Sequence, residues 1–334
     1  MLPIPDPFMF KDLFGFINVR WYGVIIVVAA LAGAWLSSKV AERRGENPNH
    51  VWDALFVALI VGLIGARLYH VVSSPANSTV NFQFYLDNPW ITVNLFGFSL
   101  YFPRVLAIWE GGLGIYGGIL GGTLGLIGYL RWHHLPIPRW LDIGAVGLLL
   151  GQAIGRWGNY FNQELYGFPT SATWGIPVDA EHRLPQFANL SALQLFHPTF
   201  LYESLLCLLG VLFLLFVNNR FKGRLLEGEL ANLYLVVYPA IRLFTEFQRP
   251  DAWVANVNGT LVPVAQIVSS TLLVLALAVL VLRRFVWRQQ PVPVATEAEV
   301  EGPHTPVRRK GRVLTPREAS RARRSAQHVD TDGS

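Results

Sequence analysis

A single cysteine, Cys207, stands in 334 residues, which excludes an internal disulfide framework and any multi-cysteine metal cluster. Charge is also scarce. Charged residues make up 15% and hydrophobic residues 52%, whereas a soluble domain carries about 25% charged residues. Of the 49 charged residues, 14 fall in residues 289–334, so the first 288 positions hold only 35. That is too few to cover a soluble globule of this size, and it argues against a soluble enzyme. No P-loop, dinucleotide fingerprint or zinc motif occurs, and His133-His134 has no further ligands near it in sequence. No cofactor or metal is therefore expected. The pI near 9.4 does not point to nucleic acid, because basic excess in a membrane protein reports cytoplasmic loops.

What the chain has in quantity is apolar runs. A bilayer-spanning helix needs roughly 20 such residues. Seven stretches qualify, at about 17–37, 52–72, 105–130, 140–157, 200–217, 229–247 and 263–282. The reading is an all-α integral membrane protein: a catalytic domain over residues 1–288 with seven spans, and a disordered tail over 289–334. The start of the chain, with Pro3, Pro5, Asp6 and Pro7, lacks a basic signal-peptide beginning, so the first span is expected to be retained. Lys39, Arg43 and Arg44, then Arg131 and Arg139, then Arg220, Lys222 and Arg224, then Arg283, Arg284 and Arg288 fall on one side of seven spans. Basic loops mark the cytoplasmic side. The N-terminus and two long loops, about 73–104 and 158–199, are then outside, and the C-terminus is inside. Prolines at 291, 293, 303, 306 and 316 and a low apolar content give the tail its disorder. Its basic clusters suit either anionic lipid or plain solvation.

Basic residues also occur where a span should be apolar. Arg67, Arg156 and Arg242 lie within or at the outer ends of spans, Arg249 follows closely, and Arg20 opens the first span. An intramembrane arginine costs at least ~3 kcal/mol, so such residues face a bundle interior or a polar cavity. Glu246 is four residues after Arg242, on the same helix face. Internal ion pairs that fix helix association are one explanation, and for Arg20 snorkelling to the interface is another. The arginines outnumber the acids near them in sequence. A cavity with surplus positive charge suits an anion, and near a leaflet the abundant anion is a phospholipid headgroup. The arginine fork matches phosphate with two parallel hydrogen bonds.

The densest motif runs from Gly155 to Gly167 and holds Arg156, Asn159, Asn162 and Glu164. Arg156 and Asn159 share a helix face, and the pattern reads either as a helix end with a polar loop or as a binding site. Span three is rich in glycine; Gly114, Gly118 and Gly122 form a stripe at helical spacing for close helix association. Tyr116 stands within it. His197 to Glu203 opens the fifth span.

These residues together resemble the prolipoprotein diacylglyceryl transferase family. The resemblance lies in Gly155 to Gly167, Arg20 to Gly23, Gly65 to Leu68, Trp109 to Gly118, His197 to Glu203 and Arg242 to Pro250, in this order. It covers most of residues 15–285 and leaves out the tail. It implies a bacterial inner-membrane enzyme that moves the diacylglyceryl group of phosphatidylglycerol onto the lipobox cysteine of a prelipoprotein signal peptide. The products implied are a thioether and glycerol 1-phosphate. The family's phosphatidylglycerol-binding arginine falls on Arg156, and its other important positions on Tyr22, Asn159, Glu164, Gly167, Arg242 and Glu246. Many members carry histidine where this chain has Tyr116, and a phenol with pKa near ~10 is a poor base at neutral pH.

The expected roles follow. Arg156 and Arg242 stabilise the leaving phosphate, Glu246 orients Arg242, and Asn159, Asn162, Glu164, Gly167 and Arg67 hold the lipid. The acceptor of the thiol proton is open among Tyr22, Tyr116, Glu246, His197 and water. Cys207 lies in an apolar stretch and is a poor nucleophile. A transporter or binding protein for an anionic lipid or phosphate compound is the alternative. Transporters often show repeated halves and broken helices, and neither is visible in the sequence.

Overall fold

The computed structural model describes residues 3–13, 17–74, 80–95, 98–107, 112–257 and 259–289. Trp109, Gly111 and the tail beyond Gln289 lie outside the described residues. Helices α1 (Trp21–Arg43), α2 (Asn49–Ser73), α4 (Ile115–Trp132), α5 (Ile137–Phe161), α6 (Thr199–Arg220), α7 (Glu229–Glu246) and α8 (Val264–Val281) each have 18 residues or more. A short helix, α3 (Phe82–Asp87), caps one loop. Among the described residues, four helices are long and apolar enough to cross a membrane: Trp21–Arg43, Asn49–Ser73, Thr199–Arg220, and α8 with its continuation to Val286. The remaining three long helices are diluted for physical reasons. Glycine lowers the hydropathy of α4, while α5 carries Arg139, Asp142 and Arg156, and α7 carries Glu229, Arg242 and Glu246.

The expectation of an all-α chain needs correction. The protein is mostly helical, and its connections contain small antiparallel sheets. β1 (Phe8–Leu13) pairs with β2 (Ile17–Arg20), β3 (Trp90–Leu95) with β4 (Phe98–Pro103), and β8 (Val254–Val257) with β9 (Thr260–Pro263). In the long connection before α6, β7 (Leu195–Phe196) lies between β5 (Pro169–Thr170) and β6 (Ile176–Pro177). These segments are rich in aromatic and β-branched residues, which suit a pleated surface. Two helix starts shift as a result. Residues 17–20 are a strand, so α1 begins at Trp21 and Arg20 precedes it. The third long apolar stretch does not begin near 105: Arg104–Leu106 is an isolated helical turn, and α4 starts at Ile115.

The bundle rests on antiparallel pairs, α1 on α5 and α2 on α4, with α6 and α7 against α5 and α8 against α7. The glycines of α4 act in a different register from the one expected. A Cβ on Gly117 would come within 2.2 Å of the Gly65 carbonyl oxygen, and one on Gly121 within 2.5 Å of that of Val61. Gly118 and Gly122 have room, with nearest contacts of 3.6 and 3.5 Å. The backbones therefore meet most closely along Gly117 and Gly121, while a Cβ on Gly62 would meet the backbones of Gly118 and Gly122 at 3.2 and 3.5 Å. Between α5, α6 and α7, Val146, Leu149, Cys207, Val211, Leu214 and Leu230 form the buried core. The opposite faces of the spanning helices expose Val27, Leu59, Leu212, Phe216 and Val274, as lipid-facing surfaces do.

At one end of the bundle the basic regions of four connections meet acidic partners. Arg44 contacts Asp142 at 3.3 Å and donates to Asn218, while Arg139 pairs with Glu46 and Glu227. Arg284 pairs with Glu229 and also donates to the Arg224 carbonyl. The buried Asp142 carboxylate accepts the N–H groups of Gly228 and Ala231 at 2.9 and 2.8 Å. It thereby caps the start of α7 from a neighbouring helix, where unsatisfied N–H groups favour an anion.

Candidate active site

The other end of the bundle gathers most of the motif residues. The C-terminal turns of α5 and α7 and the first turn of α6 converge there. Arg156, from α5, donates through Nη2 to Glu203 Oε1 at 2.7 Å and through Nη1 to Asn159 Oδ1 at 3.4 Å. Asn159 and Asn162 donate in turn to Glu164 Oε1 at 2.8 and 3.3 Å. On the other side of Glu203, its Oε2 lies 3.8 Å from Arg242 Nη1. Arg242 Nη2 is 2.6 Å from Glu246 Oε2, and Glu246 Oε2 is also 3.6 Å from Arg249 Nη1. Arg249 closes the row with two bonds to Asp251, at 2.9 and 3.0 Å.

This row corrects the expected excess of positive charge. Arg156, Arg242 and Arg249 alternate with Glu203, Glu246 and Asp251, so the row is balanced. The missing acid was Glu203, 47 residues from Arg156 in sequence and 3% exposed. It belongs to the segment opening α6, and only its absence of a neighbouring basic residue in sequence hid its role. A buried charge needs partners, and here one carboxylate holds two arginines from two helices. The balance is not full satisfaction. Arg242 Nη1 is buried and has no hydrogen-bond acceptor among the described residues. Such an atom suits an incoming oxygen anion.

Tyr22, in the first turn of α1, joins this group. Its ring packs on Gly158, where a Cβ would lie 2.7 Å from Cδ2, and it is within electrostatic range of Glu164 and Arg156. Tyr238, one turn before Arg242 on α7, interacts with Arg156 and was not singled out in the sequence. Gly167 has a geometric reason to be glycine. A Cβ there would lie 2.8 Å from His197 Cβ, 2.9 Å from Thr199 Cγ2 and 3.0 Å from the Gln248 carbonyl oxygen. The loop after α5 thus meets the start of α6 and the end of α7 at one point. Gly167→Ala is expected to destabilise the protein by about 1–3 kcal/mol, as overfilled sites do, and to lower activity in parallel; thermal melting in detergent beside an activity assay checks both.

Four residues singled out in the sequence lie outside this row. Arg67 is 2% exposed and donates to the carbonyl oxygens of Val105, Arg104 and Gly112 at 2.9, 2.9 and 3.2 Å. It fastens the connection between α2 and α4 and does not join the row. Arg20 lies over the Phe8 ring at 5.1 Å. Tyr116 is exposed, beside Tyr69 with ring centres 5.9 Å apart. His197 Nδ1 is 3.0 Å from the Tyr202 hydroxyl, which also accepts from Trp174 Nε1 at 2.9 Å. In the loop after α5, burial pushes the Tyr166 phenol above its usual pKa, and the hydroxyl donates to the His182 carbonyl. The described residues hold no group of three or more His, Cys, Asp or Glu arranged for a metal.

The model of the prolipoprotein diacylglyceryl transferase family matches residues 7–282. The chain belongs to this family. It is 40% identical over 290 residues to the phosphatidylglycerol–prolipoprotein diacylglyceryl transferase of Chloroflexus aggregans, covering 82% of this chain and 88% of that protein. The protein of the same name from Parasynechococcus marenigrum is 36% identical over 89% of this chain and 99% of its own length. A third, from Prochlorococcus marinus, is 36% identical over 71% of this chain and 77% of its own. The matched region includes all of the row from Arg156 to Asp251.

Proposed function

We propose that this membrane enzyme transfers the diacylglyceryl group of phosphatidylglycerol to the lipobox cysteine of a prelipoprotein, releasing glycerol 1-phosphate. The reading is carried by one observation: Glu203 bridges Arg156 and Arg242 across two helices, and buried Arg242 Nη1 is left without an acceptor. A phosphodiester oxygen at that point completes the guanidinium. The thiol first gives its proton to a base, for which Tyr22, Glu246, His197 and water are the candidates. The thiolate then attacks the glycerol carbon that bears the phosphate ester; a carbon–sulfur bond forms and the carbon–oxygen bond breaks. The departing phosphate gains negative charge, so arginines aimed at it stabilise the transition state more than the bound lipid. Asn159, Asn162 and Glu164 hold headgroup hydroxyls, Gly167 lets their loop close, and Glu246 fixes Arg242.

All seven long helices span the bilayer in this reading, with the N-terminus outside and the C-terminus in the cytoplasm. The site then lies near the outer leaflet of the inner membrane. The gathering of Arg44, Arg139, Arg283 and Arg284 at the opposite end supports this orientation. Residues 1–288 form the catalytic unit and 289–334 a cytoplasmic tail. Tyr116, exposed on α4, positions lipid or water and is not an obligatory base. Tyr116→Phe is expected to keep at least ~10% of the transfer rate, the loss fitting one neutral hydrogen bond, and Tyr116→His to stay active; an inactive, folded Tyr116→Phe protein would give the phenol a chemical role.

Purified protein incubated with phosphatidylglycerol and a lipobox peptide tests the function. Lipidated peptide with released glycerol phosphate supports it. Phosphate or lipid movement across liposomes without peptide modification would make the protein a transporter instead.

A further inference from the structure

The turn that follows α5 contains a conformational anomaly. Asn162 ends the helix, the Gln163 N–H donates to the Tyr160 carbonyl at 3.0 Å, and the Glu164 N–H donates to that of Asn159 at 3.0 Å. This pair of bonds closes a helix with the next residue in the left-handed region, a place that strongly favours glycine. Here Gln163 occupies it, with φ +51°, and Leu165 follows with φ +56°. Each non-glycine residue there costs roughly 1–2 kcal/mol. Two such residues flank Glu164, whose carboxylate receives both asparagines.

Something must hold this turn. Leu165 is held by its carbonyl, which accepts from the Thr199 hydroxyl. Gln163 is 6% exposed and grips Asp179 in both directions. Its Nε2 donates to Asp179 Oδ2 at 2.7 Å, and its Oε1 accepts the Asp179 backbone N–H at 2.8 Å. Asp179 follows Val178, which is buried in the aromatic cluster of Phe196, Phe200 and Tyr166. The outer loop is therefore tied to the helix end through a side chain that glycine lacks. Glu164, Asn162, His182 and Asp251 line a cavity of about 250 Å³ beside this tie.

We infer that Gln163 and Asp179 form a positioning clamp, which holds the strained turn so that Glu164 and Asn162 face the lipid headgroup. The inference rests on the function proposed above. If Gln163 merely ends a helix, Gln163→Gly relieves strain and leaves function intact. If it is a clamp, the same change frees the loop. The KM for phosphatidylglycerol then rises ~10-fold, the scale of one hydrogen bond to a charged group, while the melting temperature does not fall. Asp179→Ala should raise KM in the same direction but by less, because the backbone N–H of residue 179 still has Gln163 Oε1 as acceptor, and adding it to Gln163→Gly should change little further, since Gln163→Gly already removes both bonds. Asp179→Asn should restore much of the affinity, since an amide oxygen still accepts from Gln163.

Amide hydrogen exchange in detergent, without substrate, gives a readout independent of the reaction. The Asp179 N–H should exchange faster in Gln163→Gly, while the Glu164 N–H keeps its protection. Should Gln163→Gly fail to fold, Gln163→Ala, which also removes both bonds to Asp179, carries both measurements. A wild-type KM in the folded variants would overturn the clamp, whatever the exchange shows. If the wild-type protein transfers nothing, the proposed function fails, and unchanged exchange at Asp179 in Gln163→Gly would separately refute the clamp.

Discussion

Arg156→Lys and Arg156→Ala should each lose at least ~100-fold in transfer rate, roughly 2.7 kcal/mol of transition-state stabilisation, the scale of one preorganised donor. The lysine variant is the informative one. If Arg156 only balances Glu203, an ammonium does that as well. The guanidinium, however, already divides its two terminal nitrogens between Glu203 and Asn159. That division fixes the plane of the fork, and in the proposed function the plane is aimed at the phosphate. Lysine supplies a compact charge on a flexible stem and loses the plane. Rates should be taken at saturating peptide with varied phosphatidylglycerol, on monodisperse protein. Near-wild-type turnover by Arg156→Lys would remove the phosphate-clasp role.

Removing Glu203 should have a comparable effect by a different route. Its carboxylate is 3% exposed and lies between two guanidinium groups. Glu203→Ala leaves those charges facing each other in a buried place, and breaking such a pair costs roughly 3–5 kcal/mol. A lower melting temperature and loss of transfer are both expected. Glu203→Gln keeps the shape and one acceptor but removes the charge. It should fold, and lose ~10- to 100-fold in rate, because Arg156 and Arg242 are no longer drawn to one centre. A folded Glu203→Gln protein with full activity would show that the two arginines do not depend on the bridge.

Much of this was legible in the sequence. The apolar runs gave the long helices, and the Gly155–Gly167 motif gave the residues around Arg156. The losses have physical causes. A stripe of glycines four apart exists on α4 in two registers, and spacing alone cannot tell Gly117 and Gly121 from Gly118 and Gly122. The apolar stretch before α4 read as helix because hydropathy does not register the break at Pro103 and the left-handed Gly112. The expected lipid role of Arg67 rests on residue type alone, and the carbonyls of Val105, Arg104 and Gly112 that it reaches leave no trace in side-chain identity. Glu203 is hidden in the sequence because charge balance along the chain counts only neighbours, whereas helices α5, α6 and α7 set the balance in space. Gln163 carries no sign of its place in the sequence, because a left-handed φ and a grip on Asp179 are properties of the folded turn.

The central claim, that a peptide thiol displaces phosphate from a lipid held by Arg156 and Arg242, is tested most directly by following the headgroup. Phosphatidylglycerol labelled in its headgroup glycerol, incubated with the purified protein, should release glycerol phosphate only when a lipobox peptide is present. Release should match lipidated peptide one for one, and should vanish when the peptide cysteine is replaced by serine, a far weaker nucleophile at neutral pH. Release that proceeds without peptide, or that persists with the serine peptide at the same rate, would contradict the account.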